Sequence, residues 1–450
     1  MSAISPAPHS ARARQRPPVS AQLLAAILAL VLGAASCSRA PLTAPSVKEA
    51  PDAVGSTSGA STETGEVVIT VTPGADPYLI ASDYGALVVD VTDGLSVLRP
   101  TGGEVADVLC TRLSGDPRVV TVEPNAVLVP AEARQRSFAF DDGYGAMDTY
   151  QQQPAAEAIN LYAAHYAGKG DDVAVAILDT GADRTHPALA GQIAGGWDFI
   201  GNDADFSDTH DGLDSNSDGV VDGAYGHGTH IAGIVSLVAP RAKLLIVRVL
   251  DSDGRGDVRS VAAGIRWATQ HGARVINMSL GMLQSSPAIN SAIVQAAGEG
   301  VLCVASAGNW GAETPQEFPA RMGDVVAVAA VDAAEQPASF TSYGSFVDLC
   351  APGLAVRSAY PGGLYRLWSG TSMSTAFVSG TAALLLANHP SWQPAAVRTR
   401  ICSWSNALVN ASATLSSKLG AGALDAGAAL APDLPLGGTD RGPASNPVRR

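Results

Sequence analysis

The chain has 450 residues, of which 46% are hydrophobic and 16% are charged, and its formal net charge is −14 at pH 7. The hydrophobic content excludes an intrinsically disordered protein, and the acidic excess argues against a nucleic-acid-binding protein, which normally carries basic patches. The length exceeds what one core usually serves, so we expect one large domain with smaller units, in a soluble protein whose favoured small partners are cations.

Residues 1–36 have the pattern of a secretory signal peptide. Three arginines between residues 12 and 16 precede an uncharged apolar run over residues 23–35. A basic region, a short apolar core and small residues are typical of export signals, and the run is shorter than the roughly 20 residues that cross a bilayer. We therefore predict an exported protein.

The cysteines give two further expectations. Cys37 directly follows Ala-Ala-Ser and precedes a Ser/Thr/Pro-rich linker over residues 37–64, so it resembles the lipid-carrying cysteine of a bacterial lipoprotein. The alternative is ordinary signal cleavage near Ala35, which would leave Cys37 unmodified.

No C-x-x-C spacing is present, which argues against a zinc cluster. One disulfide bridge remains open among the other cysteines, which are Cys110, Cys303, Cys350 and Cys402.

A small α+β domain is predicted over residues 65–130. Two β-branched runs, at residues 67–71 and 119–122, indicate strands, and residues 105–113 have helical spacing. A polar segment of low order is predicted next, over residues 131–148, and we interpret it as a cleavable linker. It contains the basic sequence Arg134-Gln135-Arg136-Ser137.

Residues 149–431 form the predicted large domain, and residues 432–450 a disordered tail rich in Pro, Gly and Asp. Apolar strands alternate here with amphipathic helices, such as those predicted at residues 258–270 and 288–297. This alternation predicts an α/β fold with a doubly wound, mainly parallel sheet covered by helices on both faces. The strands are predicted at residues 173–178, 244–249, 275–278, 301–305 and 325–330.

Polar residues at the ends of these strands are the candidate functional residues, because chemistry gathers at the carboxyl edge of such sheets. Asp179 ends the first strand; taken alone, it would be interpreted as a helix cap for the next segment. His227 lies between two glycines at the start of an apolar helix; with His230 it could bind a metal, but the glutamate of a zinc-protease helix is missing. Asn309 follows a later strand, and Ser372 precedes another apolar helix.

Taken together, these motifs resemble those of the subtilisin-like serine peptidases, the subtilases, in which the order is Asp, His, Ser. The matching windows are Ile177-Leu178-Asp179-Thr180-Gly181, residues 226–233 around His227, Asn277-Met278-Ser279-Leu280-Gly281, Ala307-Gly308-Asn309 and Gly370-Thr371-Ser372-Met373.

The resemblance implies a role for each matching residue. Ser372 would be the nucleophile, His227 its base and Asp179 the group that orients His227, while Asn309 and the Ser372 N–H would bind the oxyanion. The edge Ser279-Leu280-Gly281 would pair with an extended peptide substrate.

The resemblance extends to residues 65–130, which are similar to the inhibitory propeptide of subtilases, so the protein's own propeptide would be a partner. The rival interpretations are an inactive pseudopeptidase, which would lack a triad residue, and an α/β-hydrolase esterase, which would show the order Ser, Asp, His. The sequence has neither feature.

Glu317 carries an expectation about specificity. Alignment from Asn309 places it where subtilases usually have a small residue at the floor of the first specificity pocket, and a carboxylate there would favour Arg or Lys at the cleaved position. The alternative is an ordinary surface glutamate. The basic linker sequence fits the first interpretation, with self-cleavage near Ala131 or Arg136.

The acidic charge is concentrated between Asp179 and His227. Residues 180–226 contain nine aspartates and one arginine, a net charge of −8. Within this stretch, Asp214, Asn216, Asp218, Val220 and Asp222 occupy oxygen-bearing positions of an EF-hand-like loop, although Tyr225 stands where its bidentate glutamate belongs. We predict a structural calcium ion here, which the resemblance also implies. The alternative is a solvated acidic loop.

Overall fold

The computed structural model describes residues 63–135 and 137–431. The predicted signal peptide, almost all of the linker with Cys37, residue Arg136 and the predicted tail lie outside this part of the chain. Within the described stretches, no helix combines the length and the apolar content that a membrane crossing requires.

The small domain has the predicted α+β architecture. Its sheet has the strand order β2-β3-β1-β4, with each of these pairs antiparallel. Val67 and Ile69 of the first strand pack against Ile80, Leu109 and Leu113 of the two helices. The two strands and the helix predicted here are confirmed. The elements are β1 (Glu63–Val71), α1 (Pro77–Tyr84), β2 (Ala86–Thr92), β3 (Leu95–Pro100), α2 (Ala106–Leu113) and β4 (Val119–Leu128).

The rest of the described chain is built around one seven-stranded sheet with the order β12-β11-β10-β9-β5-β7-β6. Every adjacent pair in it is parallel. Its strands are β5 (Ala174–Asp179), β6 (Ile193–Asp198), β7 (Lys243–Arg248), β9 (Val275–Met278), β10 (Leu302–Ser306), β11 (Val325–Val331) and β12 (Leu349–Pro352). Outside this sheet, β8 (Gly256–Asp257) pairs with β4, and β13 (Val356–Tyr360) and β14 (Leu364–Trp368) form an antiparallel pair. All five predicted strands are present, each within one residue at either end.

Helices cover both faces of this sheet, as predicted. Alternate residues of β5 point to opposite faces, so Val175 and Ile177 lie in one core while Ala176 and Leu178 lie in the other. The helices are α3 (Ala131–Gln135), α4 (Met147–Gln151), α5 (Pro154–Ala158), α6 (Leu161–Ala167), α7 (His227–Val238), α8 (Val258–Gln270), α9 (Pro287–Gly298), α10 (Thr371–Asn388), α11 (Pro394–Ser403), α12 (Ala413–Ser416) and α13 (Ala426–Leu430). Helices α7 and α10 contribute to the first core, and α8 and α9 contribute to the second.

The segment over residues 131–148 differs from the prediction of low order. Helix α3 begins directly after the small domain, and Phe140 forms an antiparallel bridge with Leu367 of β14. The sequence of this segment is polar, but Glu132 is only 1% exposed. The Glu132 side chain is buried because it enters the large domain. The composition of the segment alone does not reveal this contact.

Candidate active site

Four of the residues singled out from the sequence meet beyond the carboxyl edge of the sheet. Asp179 is the last residue of β5, and Asn309 follows β10 by three residues. His227 is the first residue of α7, and Ser372 is the second residue of α10. Each of the four is 3% exposed or less. The two helices place a base and a hydroxyl at their amino ends, where N–H groups stabilise negative charge.

Asp179 and His227 form a buried ion pair. His227 Nδ1 lies 2.7 Å from Asp179 Oδ1, which also accepts a hydrogen bond of 2.8 Å from the Thr180 N–H. Burial alone would lower the pKa of His227, but the carboxylates of Asp179 and Glu132 outweigh it and raise the pKa to about 10. The contact makes Asp179 a partner of the imidazole rather than only a helix cap.

Asp208 supports this pair and was not identified from the sequence, where it is one of nine aspartates in a charged stretch. Its carboxylate accepts hydrogen bonds from Gly226 N (3.1 Å), Thr229 N (3.1 Å) and Thr229 Oγ1 (2.7 Å), and a longer one from Thr180 Oγ1 (3.3 Å). Burial raises its pKa to about 6, against the hydrogen bonds that it accepts. Asp208 thus ties the residue after Asp179 to the turn that presents His227.

Asn309 is oriented by the residue before Ser372. Its Oδ1 accepts hydrogen bonds of 2.9 Å from both the N–H and the Oγ1 of Thr371. The amide oxygen is therefore engaged, and Nδ2 is turned towards the space in front of Ser372. Thr371 was part of a matching window in the sequence, but this positioning role emerges only from the structure.

One carboxylate fills that space, and it belongs to Glu132 of α3. Glu132 Oε1 accepts hydrogen bonds from Asn309 Nδ2 (3.2 Å) and Ser372 N (3.3 Å). Glu132 Oε2 accepts one of 2.6 Å from Ser372 Oγ and lies 3.3 Å from His227 Nε2. No sequence motif distinguishes Glu132, which lies 240 residues before Ser372. One side chain of the chain itself therefore contacts the Asn309 amide, the N–H and hydroxyl of Ser372 and the His227 imidazole together.

The predicted substrate edge is paired with the chain's own strand. Gly281 N donates to Val129 O (2.9 Å), and Val129 N donates to Gly281 O (3.1 Å). On the other side, Leu128 pairs with Gly256 of β8. Ser279 and Leu280 precede Gly281 and are fully buried. The end of the small domain is thus held as an extended strand between two edges, which is the geometry of β-strand addition.

The small domain also contacts the amino ends of two helices of the large one. Glu123 Oε1 accepts a hydrogen bond of 2.7 Å from Ala288 N in the first turn of α9. Asn125 Oδ1 accepts one from Arg259 N in the first turn of α8, and its Nδ2 donates to Asp257, the residue that caps α8. These contacts satisfy N–H groups that have no partner within their own helices.

Glu317 is fully buried, so its interpretation as a surface residue is wrong. Trp310 Nε1 donates a hydrogen bond of 2.7 Å to Glu317 Oε1. A Cβ atom built at Gly281 would collide with the Glu317 carboxylate, and one built at Gly308 would lie 3.1 Å from its Cδ. The carboxylate therefore lies directly against Gly281 of the substrate edge and against the residue that precedes Asn309.

The acidic loop brings together only part of the predicted calcium ligand set. Asp214 Oδ1 and Asn216 Oδ1 both accept hydrogen bonds from Asp218 N (3.0 and 2.9 Å), and Asp218 Oδ1 accepts one from Val220 N. Asp222 Oδ1 instead accepts hydrogen bonds from two backbone N–H groups of the segment before the loop. The first half of the loop fits an EF-hand-like turn, whereas Asp222 is engaged elsewhere.

Other arrangements suggested by the sequence are not formed in the described residues. No group of three His, Cys, Asp or Glu side chains there has the spacing of a metal site. His230, the alternative metal ligand, lies with Nε2 3.2 Å from the Arg366 carbonyl, and burial lowers its pKa to about 3. Within the described residues, none of the four cysteines after Cys37 forms a disulfide.

Comparison with known proteins shows the family of this chain. A model of the subtilase family matches residues 170–422. The chain is 35% identical over 353 residues to a thermostable alkaline protease from Halalkalibacterium halodurans, covering 76% of this chain and 87% of that protein. It is 41% identical over 249 residues to subtilisin BL from Lederbergia lenta, covering 53% of this chain and 86% of that protein.

A solved structure is similar as well. Fervidolysin from Fervidobacterium pennivorans, a keratinolytic enzyme related to subtilisin, matches with a TM-score of 0.67 and 25% identity, covering 81% of this chain and 60% of that chain. The fold, the family model and the relatives agree. The chain belongs to the subtilase family and is a serine endopeptidase with a subtilisin-like fold.

Proposed function

We propose that this chain is an exported endopeptidase made as a self-processed precursor, with Asp179, His227 and Ser372 as its catalytic triad and Asn309 in its oxyanion hole. One observation carries the assignment. Ser372 Oγ, Ser372 N and Asn309 Nδ2 all donate to a single carboxylate, whose other close neighbour is the imidazole that Asp179 holds. An oxyanion formed by attack of Ser372 would need the same two N–H donors.

The reaction then follows from the chemistry of these groups. Ser372 Oγ forms a bond to the substrate carbonyl carbon while its proton passes to His227 Nε2, and the carbonyl oxygen becomes an oxyanion facing Asn309 Nδ2 and Ser372 N. The tetrahedral intermediate expels the amine, which takes the proton from His227. A water molecule then attacks the acyl enzyme by the same route, releasing the acid and restoring Ser372. Asp179 stabilises the imidazolium in both steps.

Covalent labelling tests the assignment. A peptide phosphonate reacts only with an activated serine, so the processed wild-type enzyme is expected to be labelled and the Ser372→Ala variant is not. Labelling of both proteins, or of neither, would contradict the proposed triad.

We infer that residues 65–130 are the inhibitory propeptide. The contacts that support this are the extended strand at Val129 along Gly281 and the helix caps made by Glu123 and Asn125. Self-cleavage near Ala131 requires no shift of that strand, because Ala131 follows it by two residues. Cleavage after Arg136, in the basic sequence, would place a cationic side chain near the buried Glu317 carboxylate. It would also require α3 to unwind. Sequencing the amino terminus of the released peptidase distinguishes the two sites.

We propose that Glu317 gives the enzyme a preference for Arg or Lys at the cleaved position. Its carboxylate is buried against Gly281, which lies on the edge that would hold the substrate backbone. A cationic side chain entering between Gly281 and Gly308 would reach this carboxylate. Burial strengthens such a charge pair because little water screens it.

Glu317→Gln tests this preference with an isosteric neutral side chain. We expect kcat/KM for substrates with Arg at the cleaved position to fall about 30-fold or more, since breaking a buried charge pair costs at least about 2 kcal/mol and 1.4 kcal/mol is tenfold. The value for Leu substrates should hold or rise. Glu313→Gln is the matched control, because Glu313 pairs with Lys418 and its side chain is 43% exposed. Equal losses for Arg and Leu substrates would rule out a specificity role.

We also propose that calcium stabilises the acidic loop, with Asp214, Asn216, Asp218 and the Val220 carbonyl as the ligands that fit best. Calcium accepts amide and carbonyl oxygens as well as carboxylates, so few acidic side chains are needed. Asp222 would join only if it released its present hydrogen bonds.

Removal of calcium is expected to destabilise the protein and to expose the loop to self-digestion. A ligand at 100 times its Kd adds about 2.7 kcal/mol of stability, so chelation should lower the Tm by several degrees. The measurement is thermal unfolding of the uncut Ser372→Ala precursor with and without chelator, and the autolysis rate of the active enzyme. Asp214→Asn should reduce the chelator effect. Identical melting curves in calcium and in chelator would exclude the ion.

Export is proposed from residues 1–36, and lipid attachment from Cys37; both lie outside the described residues. If Cys37 is lipidated, cleavage near Ala131 or Arg136 would leave the lipid on the propeptide and release the peptidase. Cell fractionation should then find the propeptide in the membrane fraction and the mature peptidase in the medium. An uncut peptidase confined to membranes would contradict this sequence of events.

A further inference from the structure

Glu132 occupies the reaction centre of the uncut chain. Both of its oxygens are used: Oε1 accepts from Asn309 Nδ2 and Ser372 N, and Oε2 accepts from Ser372 Oγ at 2.6 Å. Glu132 is 1% exposed, and Ser372 and His227 are fully buried. A substrate carbonyl cannot reach Ser372 Oγ while this carboxylate is in place.

The surrounding structure is shaped around this side chain. A Cβ atom built at Gly370 would collide with Glu132 Oε1, so the absence of a side chain at that position leaves the room that the carboxylate fills. The preceding strand is held on both sides, by Gly256 at Leu128 and by Gly281 at Val129. The paired strand therefore fixes the position of the backbone from which the Glu132 side chain reaches Ser372.

Charge complementarity compensates for the burial of Glu132. Although burial acts to raise the pKa of Glu132, the hydrogen bond and the charge of His227 and the hydrogen bond from Ser372 hold it below its usual value. The imidazolium of His227 thus lies between two carboxylates, those of Asp179 and Glu132. Glu132 Oε2 lies 3.3 Å from His227 Nε2, the atom that would receive the proton of Ser372, so the contact engages the base as well as the nucleophile.

We propose that Glu132 is an intramolecular inhibitory side chain: in the uncut precursor it fills the oxyanion hole and holds Ser372 Oγ, and it must withdraw before Ser372 attacks any peptide bond. This inference rests on the proposed triad and precursor. It differs from inhibition by a strand lying in the substrate cleft, because the inhibitory group is a carboxylate that binds the catalytic groups themselves.

The experiment compares refolded, full-length precursors that carry Glu132, Glu132→Gln or Glu132→Ala. A fluorescent peptide phosphonate is added immediately after refolding, and the labelling rate of the uncut band is measured on a gel. Glu132→Ala is expected to be labelled about 10-fold to 100-fold faster than the wild type, the range for losing one charge-assisted hydrogen bond. Glu132→Gln should fall between them, because a neutral amide binds these donors more weakly.

Controls separate this role from a general effect on folding. Glu157 lies exposed on α5, and Glu157→Gln should be labelled at the wild-type rate. Glu132→Gln keeps the size of the side chain, so its result stands if Glu132→Ala misfolds. Equal or slower labelling of both Glu132 variants would overturn the proposal while leaving the triad intact. If the processed wild-type enzyme is not labelled at all, the proposed function itself fails and the inhibitory role fails with it.

Discussion

Ser372→Ala is expected to lower kcat by about 10⁶-fold, the size of loss seen when the nucleophile of a triad is removed. Without Oγ no acyl enzyme forms, and the remaining donors on Asn309 and residue 372 can stabilise only direct attack by water. The variant precursor should also remain uncut. Both outcomes are measured on purified protein, with peptide hydrolysis for kcat and mass spectrometry for the intact chain.

A neighbouring serine provides the control for that experiment. Ser374 is buried two residues further along α10, where its Oγ donates to the Ala351 carbonyl. Ser374→Ala loses a buried hydrogen bond but no reacting atom, so it should change stability by about 1 kcal/mol and still process itself. Retention of more than a thousandth of the wild-type kcat by Ser372→Ala would refute its role as nucleophile.

Asp179→Asn is expected to lower kcat about 10⁴-fold, as when the orienting carboxylate of a triad is neutralised. Asp179 Oδ1 accepts from both Thr180 N and the His227 side, so an asparagine can occupy the same position with little rearrangement. What it lacks is the negative charge that stabilises the imidazolium during proton transfer. The loss should therefore appear in kcat rather than in KM.

The pH profile gives an independent check on Asp179. In the precursor, the carboxylates of Asp179 and Glu132 raise the pKa of His227 to about 10, against the effect of burial. Since His227 must be neutral to act as a base, removing the Asp179 charge should move the acid limb of kcat/KM in the processed enzyme to lower pH. Asp205→Asn is the control, because Asp205 is exposed. If the acid limb of kcat/KM stays at the same pH in Asp179→Asn and kcat falls only slightly, Asp179 has a merely structural role.

The sequence predicted the elements that depend on local pattern. The strands β5, β7, β9, β10 and β11 are short, largely apolar runs. Runs of this kind, bounded by polar turns, are typical of strands that are buried on both faces of a parallel sheet. The four candidate residues could be selected because each lies at the end of a strand or at the start of a helix, within a distinctive sequence window. They are Asp179, Asn309, His227 and Ser372. Two strands of the large sheet, β6 and β12, were missed: β6 contains two consecutive glycines, and β12 ends in a proline.

Contacts between distant residues could not be predicted in this way. Asp208 is one aspartate among nine in its stretch, and only its hydrogen bonds to the start of α7 distinguish it from the others. Glu317 could be aligned with a specificity pocket, but its burial against Gly281 depends on two loops meeting. Asp222 fits the calcium pattern by spacing, yet its carboxylate accepts hydrogen bonds from the backbone of the segment before the loop.

Glu132 shows this limit most clearly. By itself the sequence determined a parallel α/β domain, a small domain before it, and the residue types needed for acyl transfer, since periodicity and short motifs are local properties. Only the tertiary structure decided that a glutamate 240 residues before Ser372 accepts hydrogen bonds from Asn309 and from both the N–H and the hydroxyl of Ser372. That arrangement depends on the strand at Val129 being paired on both sides and on the space left at Gly370, and both are properties of the folded chain.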